Sequence, residues 1–149
     1  MKIFLKKIYL VFWSLIPLIL LFSYKDPDST IDINIHDTYL IIGLFQLGIL
    51  TSIFLGIIGF TYWILDKLNR KRISWLTFVH TLFTIGGILI ITLANSIFRE
   101  AEFESSNRSP YFDSLLITNV IVALSFICIL MSQLFLIVNC LIGIFRKEN

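Results

Sequence analysis

The chain has 149 residues, 57% of them hydrophobic and 15% charged, whereas a soluble domain carries about 25% charged residues. Its mean hydropathy is +0.88. One domain of this length cannot hide so much apolar surface from water, so disorder, a nucleic-acid-binding module and most soluble enzymes are excluded and the lipid bilayer is the expected solvent.

The 12 Lys and Arg and the 10 Asp and Glu fall in five short stretches. Between them lie four charge-free segments, residues 8–24, 38–65, 73–98 and 114–145. Each is a continuous apolar run, not the alternating pattern of a barrel strand, and roughly 20 apolar residues in a helix cross the hydrocarbon core. The expected fold is an all-α integral membrane protein, a single domain of four transmembrane helices.

The first segment has 17 uncharged residues and contains Pro17. Lys2, Lys6 and Lys7 before it also fit a cleaved signal peptide. The following LLFSYKDPD lacks small residues in an A-x-A arrangement, which favours an uncleaved helix. The second segment follows an acidic loop ending in His36–Asp37 and carries Gly48, Ser52 and Gly56 at four-residue spacing. Small residues so spaced let helix backbones approach. Trp63 and Trp75 flank the basic loop 66–72, where an aromatic belt would lie. The third segment contains His80, expected to be a structural histidine near the wet interface, and the pair Gly86–Gly87, expected at a helix contact. The fourth has 32 uncharged residues, about 48 Å of helix, longer than a core of about 30 Å and therefore tilted or running into the interface. Its Thr118, Ser125, Ser132 and Asn139 recur every seven residues, the period of one face in a left-handed helix pair, with Asn119 and Gln133 at the border.

Charge sets the orientation. The N-terminus, the 66–72 loop and the C-terminus hold nine basic and two acidic residues; the 25–37 and 99–113 loops hold three basic and eight acidic. The positive-inside bias puts both termini in the cytoplasm, and four spans require the same alternation.

No charge-free segment carries the intramembrane Asp, Glu, Lys or Arg on which proton-coupled transporters usually rely. No glycine-rich phosphate loop and no CxxC occur. Cys128 and Cys140 are 12 residues apart on one helix, about 18 Å, too far for a disulfide within it.

Residues 32–46 read DINIHDTYLIIGLFQ. This resembles the start of the tenth helix of haem-copper (cytochrome c) oxidase subunit I, where H-D-T-Y is followed by four mostly apolar residues and H-F-H. His36, Asp37, Thr38, Tyr39 and Phe45 match in order. The resemblance implies a metal-binding role for His36 and Asp37, as in that family's magnesium site. Leu44 and Gln46 stand where the two haem ligands would be, and neither offers an imidazole nitrogen. SQLFLIVNCLIGIFRK is similar to the family's last helix in bacteria, and His80 falls where its eleventh helix often has a histidine. The family's C-terminal helices are thus echoed without its chemistry. The expectation is a non-catalytic, multi-pass protein of a bacterial inner membrane, without cofactor. Its partners would be the bilayer and either other membrane subunits, as an accessory or assembly subunit of a respiratory complex, or copies of itself. Two alternatives stay open. One is a haem- or quinone-binding electron carrier with ligands shared across an oligomer; the other is a small channel or transporter.

Overall fold

The computed structural model describes the backbone of residues 7–35, 38–104 and 108–145, and the side chains of 7–30, 38, 41–93 and 117–145. Four helices make up most of it: α1 (Ile8–Tyr24), α2 (Leu44–Lys67), α3 (Ser74–Glu104) and α4 (Arg108–Phe145). Between α1 and α2 lie strands β1 (Thr30–Ile35) and β2 (Thr38–Gly43), paired antiparallel with Thr30 opposite Gly43 and Ile35 opposite Thr38. The contacts divide the chain into two compact units, Met1–Ser74 with Cys140–Asn149, and Trp75–Asn139.

The hairpin corrects the expected second helix, which was to begin at residue 38 and begins at Leu44. Thr38–Gly43 reads TYLIIG, β-branched and aromatic residues that fit a pleated strand. Leu44 N–H donates to Ser29 O at 2.8 Å and closes the base of the hairpin. Gly43 N–H donates to Gln46 Oε1 at 3.1 Å, so the side chain of the third helical residue covers the entry to α2. Gln46, at a haem-ligand position of the resembled family, thus serves its own helix start. His36 and Asp37 lie outside the described residues.

In the first unit α1 runs antiparallel to α2. Phe12 stacks on Tyr62 at 5.9 Å between centroids, and at the other end Tyr24 meets Phe45 edge-on at 6.4 Å. The buried residues of α2 along this face are Gly48, Ser52, Leu55, Gly59 and Tyr62. Their spacing of four, three, four and three is the seam of a left-handed pair. It corrects the four-residue strip: the path leaves Gly56, half-buried, and continues through Leu55 and Gly59.

Helix α2 ends in a Schellman turn. Arg70 N–H donates to Leu65 O at 2.9 Å and Asn69 N–H to Asp66 O at 3.0 Å. Asn69 takes the left-handed conformation at φ 49°. Asparagine tolerates that region and a β-branched residue does not. Asn69→Val is expected to lower stability by about 1–2 kcal/mol and Asn69→Gly to leave it unchanged or raise it, read from thermal unfolding in detergent. The turn brings Arg70 to the end of α4, where its Nη1 donates to Ile144 O at 3.1 Å. Arg72 pairs with Asp66 at 3.1 Å, and Lys67 Nζ lies 4.8 Å over the Trp63 ring.

Helices α3 and α4 reach past the charge-free segments 73–98 and 114–145, to Glu104 and back to Arg108. Charges end a hydrocarbon-compatible stretch; they do not end a helix, since Arg and Glu are good helix formers. Among the described residues, three stretches are long and apolar enough to cross a membrane: Leu44–Lys67, Ser74–Leu93 and Ile117–Phe145. With 17 residues α1 is apolar but shorter.

Candidate functional site

The second unit holds a buried polar seam between α3 and α4. Thr77, His80, Thr84 and Gly87 are buried on α3; Val122, Ser125, Ile129, Ser132 and Asn139 are buried on α4. Both sets step by threes and fours, with the half-buried Leu136 filling the gap on α4, so each helix offers one heptad face. Asn139 sits opposite Thr77 and Ser132 opposite Thr84, which makes the pair antiparallel.

The hydrogen-bond donors can be followed one by one. Ser132 Oγ donates its only hydrogen to Ile129 O at 2.7 Å. Thr84 Oγ1, 2.9 Å away, is therefore the donor to Ser132 Oγ. Gln133 Nε2 donates to Ile129 O at 2.9 Å and to Ser132 Oγ at 3.1 Å. That turns Gln133 Oε1, which only accepts, to His80 Nε2 at 3.3 Å, so Nε2 carries the imidazole proton. One turn nearer the start of α3, Asn139 Nδ2 donates to Thr77 Oγ1 at 2.8 Å. Below the polar stretch the helices close on Gly87, where a Cβ would stand 2.6 Å from Ile129 Cγ1 and 3.4 Å from Ser125 O. The arrangement orients neutral donors and acceptors toward one another across two helices.

The residues singled out from sequence fall in different places. Ser125, Ser132 and Asn139 are buried on the seam, while Thr118, the first of that stripe, is half-buried. Gly87 sits at the close approach, while a Cβ at Gly86 would meet no described atom within 4 Å. Gly48 faces Ser23 and Gly59 faces Trp13 and Phe12, all in the first unit. A Cβ at Gly56 would make ordinary contact with Ile16 at 3.9 Å. Ser52 Oγ is buried and has no hydrogen-bond partner among the described residues. Cys128 and Cys140 are both free thiols. Thr77 and Thr84 were not anticipated. Their signal was present: Thr77, His80, Thr84 and Gly87 recur at seam spacing inside an otherwise apolar run.

Outside the seam the described residues of the pair are mostly apolar. Leu82, Leu89 and Leu93 on α3 and Leu124, Ile127, Leu130, Met131 and Leu134 on α4 are each more than half exposed. Among the described residues the side chains between the helices are largely polar and the exposed ones largely aliphatic, Thr92 apart, the reverse of a water-soluble bundle.

No family model, curated protein or solved structure matches this chain.

Proposed function

We propose that the chain is a four-span protein of a bacterial cytoplasmic membrane, with both termini inside, that acts without catalysis by packing laterally against other membrane-embedded subunits. The observation that carries the membrane part is the inverted polarity of α3 and α4. Aliphatic side chains more than half exposed along two long helices need a hydrocarbon solvent, and a buried hydrogen-bonded seam is how helices associate there. Among the described residues, three helices meet the length and apolarity of a span. The fourth span is α1. Its contacts with α2 run from Phe12 opposite Tyr62 to Tyr24 opposite Phe45, so the two helices occupy the same depth. Seventeen residues give about 25 Å, which the bilayer accommodates by modest thinning.

The polar groups of the seam are engaged with one another, which favours helix association over a ligand-binding lining. The HDTY resemblance, with Leu44 and Gln46 at the haem-ligand positions, nominates a respiratory complex as the assembly.

Purification in a mild detergent is expected to recover other membrane subunits with this chain and no Soret band of its own. Recovery as a lone protein overturns the accessory role. For topology, Asp28→Cys and Asn69→Cys are placed singly in a background with Cys128→Ser and Cys140→Ser. A membrane-impermeant thiol reagent added to spheroplasts should label position 28 and spare position 69 until the cells are lysed.

A further inference from the structure

The basic turn after α2 and the last turn of α4 form one surface within the first unit. An open apolar groove of about 330 Å³ is lined by Ile73, Leu141, Ile142 and Phe145. That volume lies at the lower end of small-molecule clefts, roughly 300–1,000 Å³. Gly143 stands inside the stretch of α4 that lines the groove. A Cβ there would be 3.5 Å from Arg70 Cβ and 3.7 Å from Lys71 O. Gly143 itself faces this turn and not the groove; Arg70 reaches the groove end of α4 through its Nη1 bond to Ile144 O, next to the groove-lining Phe145. Ile73 follows them by two residues, and the sequence continues from Phe145 to Arg146 and Lys147.

We infer that this surface binds one anionic phospholipid, the apolar groove taking acyl chain and the Arg70–Lys71 pair taking the phosphate. The inference rests on the membrane reading above. Charge complementarity selects the headgroup. The stretch from Asp66 to Arg72 holds four cations and one acid, and that acid, Asp66, is already paired with Arg72. Lys71 is exposed, and Arg70 uses Nη1 on Ile144 O, one of five guanidinium donors. The C-terminal carbonyls of α4 would by themselves repel a phosphate. Arg70 covers one of them and stands as the cation beside that helix end. Phe145, which follows Ile144 at the end of α4, is 84% exposed, and Leu141 on the same groove is 50% exposed. That juxtaposition matches an amphiphile and not a free anion.

The test reconstitutes the full chain into nanodiscs of phosphatidylcholine containing one-tenth phosphatidylglycerol, then reads retained lipid by native mass spectrometry after transfer to detergent. Preferential retention of one phosphatidylglycerol is expected. Lys71→Gln should lower the preference for phosphatidylglycerol over phosphatidylcholine about fivefold, the effect of one basic residue near an anionic surface, and Lys71→Glu should lower it further. Lys67→Gln should leave it within about twofold, because Lys67 lies over Trp63. Leu141→Trp fills the groove and should reduce retention of both lipids. An equal loss in Lys67→Gln and Lys71→Gln would overturn a localised site in favour of diffuse charge. Competition by glycerol 3-phosphate as effective as the whole lipid, or full retention in Leu141→Trp, would overturn the acyl groove. A chain that inserts but holds both lipids equally overturns the lipid site and leaves the spans standing. A chain extracted by alkaline carbonate overturns the membrane reading itself.

Discussion

Gly59→Leu is expected to separate α1 from α2 and to lower stability by more than 3 kcal/mol, whereas Gly56→Ala, one turn away, should be neutral or stabilising. The difference follows from where each glycine faces. A bare Cβ at Gly59 would stand 2.5 Å from Trp13 Nε1, 2.6 Å from Trp13 Cδ1 and 3.4 Å from Phe12 Cβ. Carbon atoms pack at about 3.5–4.0 Å, so a methyl group alone forces about 1 Å of movement. The indole can swing part of that distance. The Cβ of Phe12 cannot, because it is fixed to the backbone of α1. Overpacking by single methylenes costs about 1–3 kcal/mol, and leucine adds four carbons at the point of closest approach. The displaced Phe12 would also lose its stacking on Tyr62, whose ring is completely buried. At position 56 a Cβ finds only Ile16 at 3.9 Å, and alanine gains up to about 1 kcal/mol over glycine in a helix. Unfolding in detergent, followed by Trp13 fluorescence, reads both variants. Equal effects at the two positions would refute the four-three seam of α2.

Gly56 and Gly59 also show what could be read from sequence. Small residues on α2 announced a helix contact, and their spacing suggested Gly48–Ser52–Gly56, whereas the buried path runs Gly48–Ser52–Leu55–Gly59. A pure four-residue repeat drifts around a helix, and two helices packed over five turns keep contact only on a 3.5-residue period. On α4 the seven-residue recurrence of Ser125, Ser132 and Asn139 carried its phase with it, and these residues are buried together. Helix existence was legible because 22 charges sat in five stretches. The hairpin was not legible. TYLIIG is an apolar run, and a short apolar run does not tell strand from helix by periodicity. Its partner TIDINI does alternate, but its strand character depends on pairing with residues that sequence assigns to the next helix. The partners of His80 were hidden for a similar reason. Gln133 lies 53 residues away, and only the antiparallel register of α3 and α4 brings the two together.

Gln133→Leu tests whether the α3–α4 seam acts as glue. The side chain receives His80 Nε2–H at Oε1 and donates to Ser132 and Ile129 from Nε2, so leucine removes an acceptor and a donor together. His80 is fully buried, and an imidazole N–H that loses its acceptor in such a place costs about 1–3 kcal/mol. A loss in that range is expected from unfolding titrations in mixed micelles. Replacing both partners by apolar groups removes the orphaned donor, so His80→Leu combined with Gln133→Leu should be more stable than the sum of the single losses predicts. The coupling should be about 0.6 kcal/mol and below about 1.7, the range of side-chain hydrogen bonds between membrane helices. The pair Thr84→Val and Ser132→Ala supplies a second cycle in the same network, because Thr84 is the donor in that bond and Gln133 Nε2 also reaches Ser132 Oγ. Additive losses in both cycles would mean that the seam does not hold the helices through these bonds. If the seam instead lines a path for protons or solutes, Gln133→Leu should abolish flux into liposomes at unchanged stability. Glue predicts the reverse: measurable loss of stability, and no flux before or after the substitution.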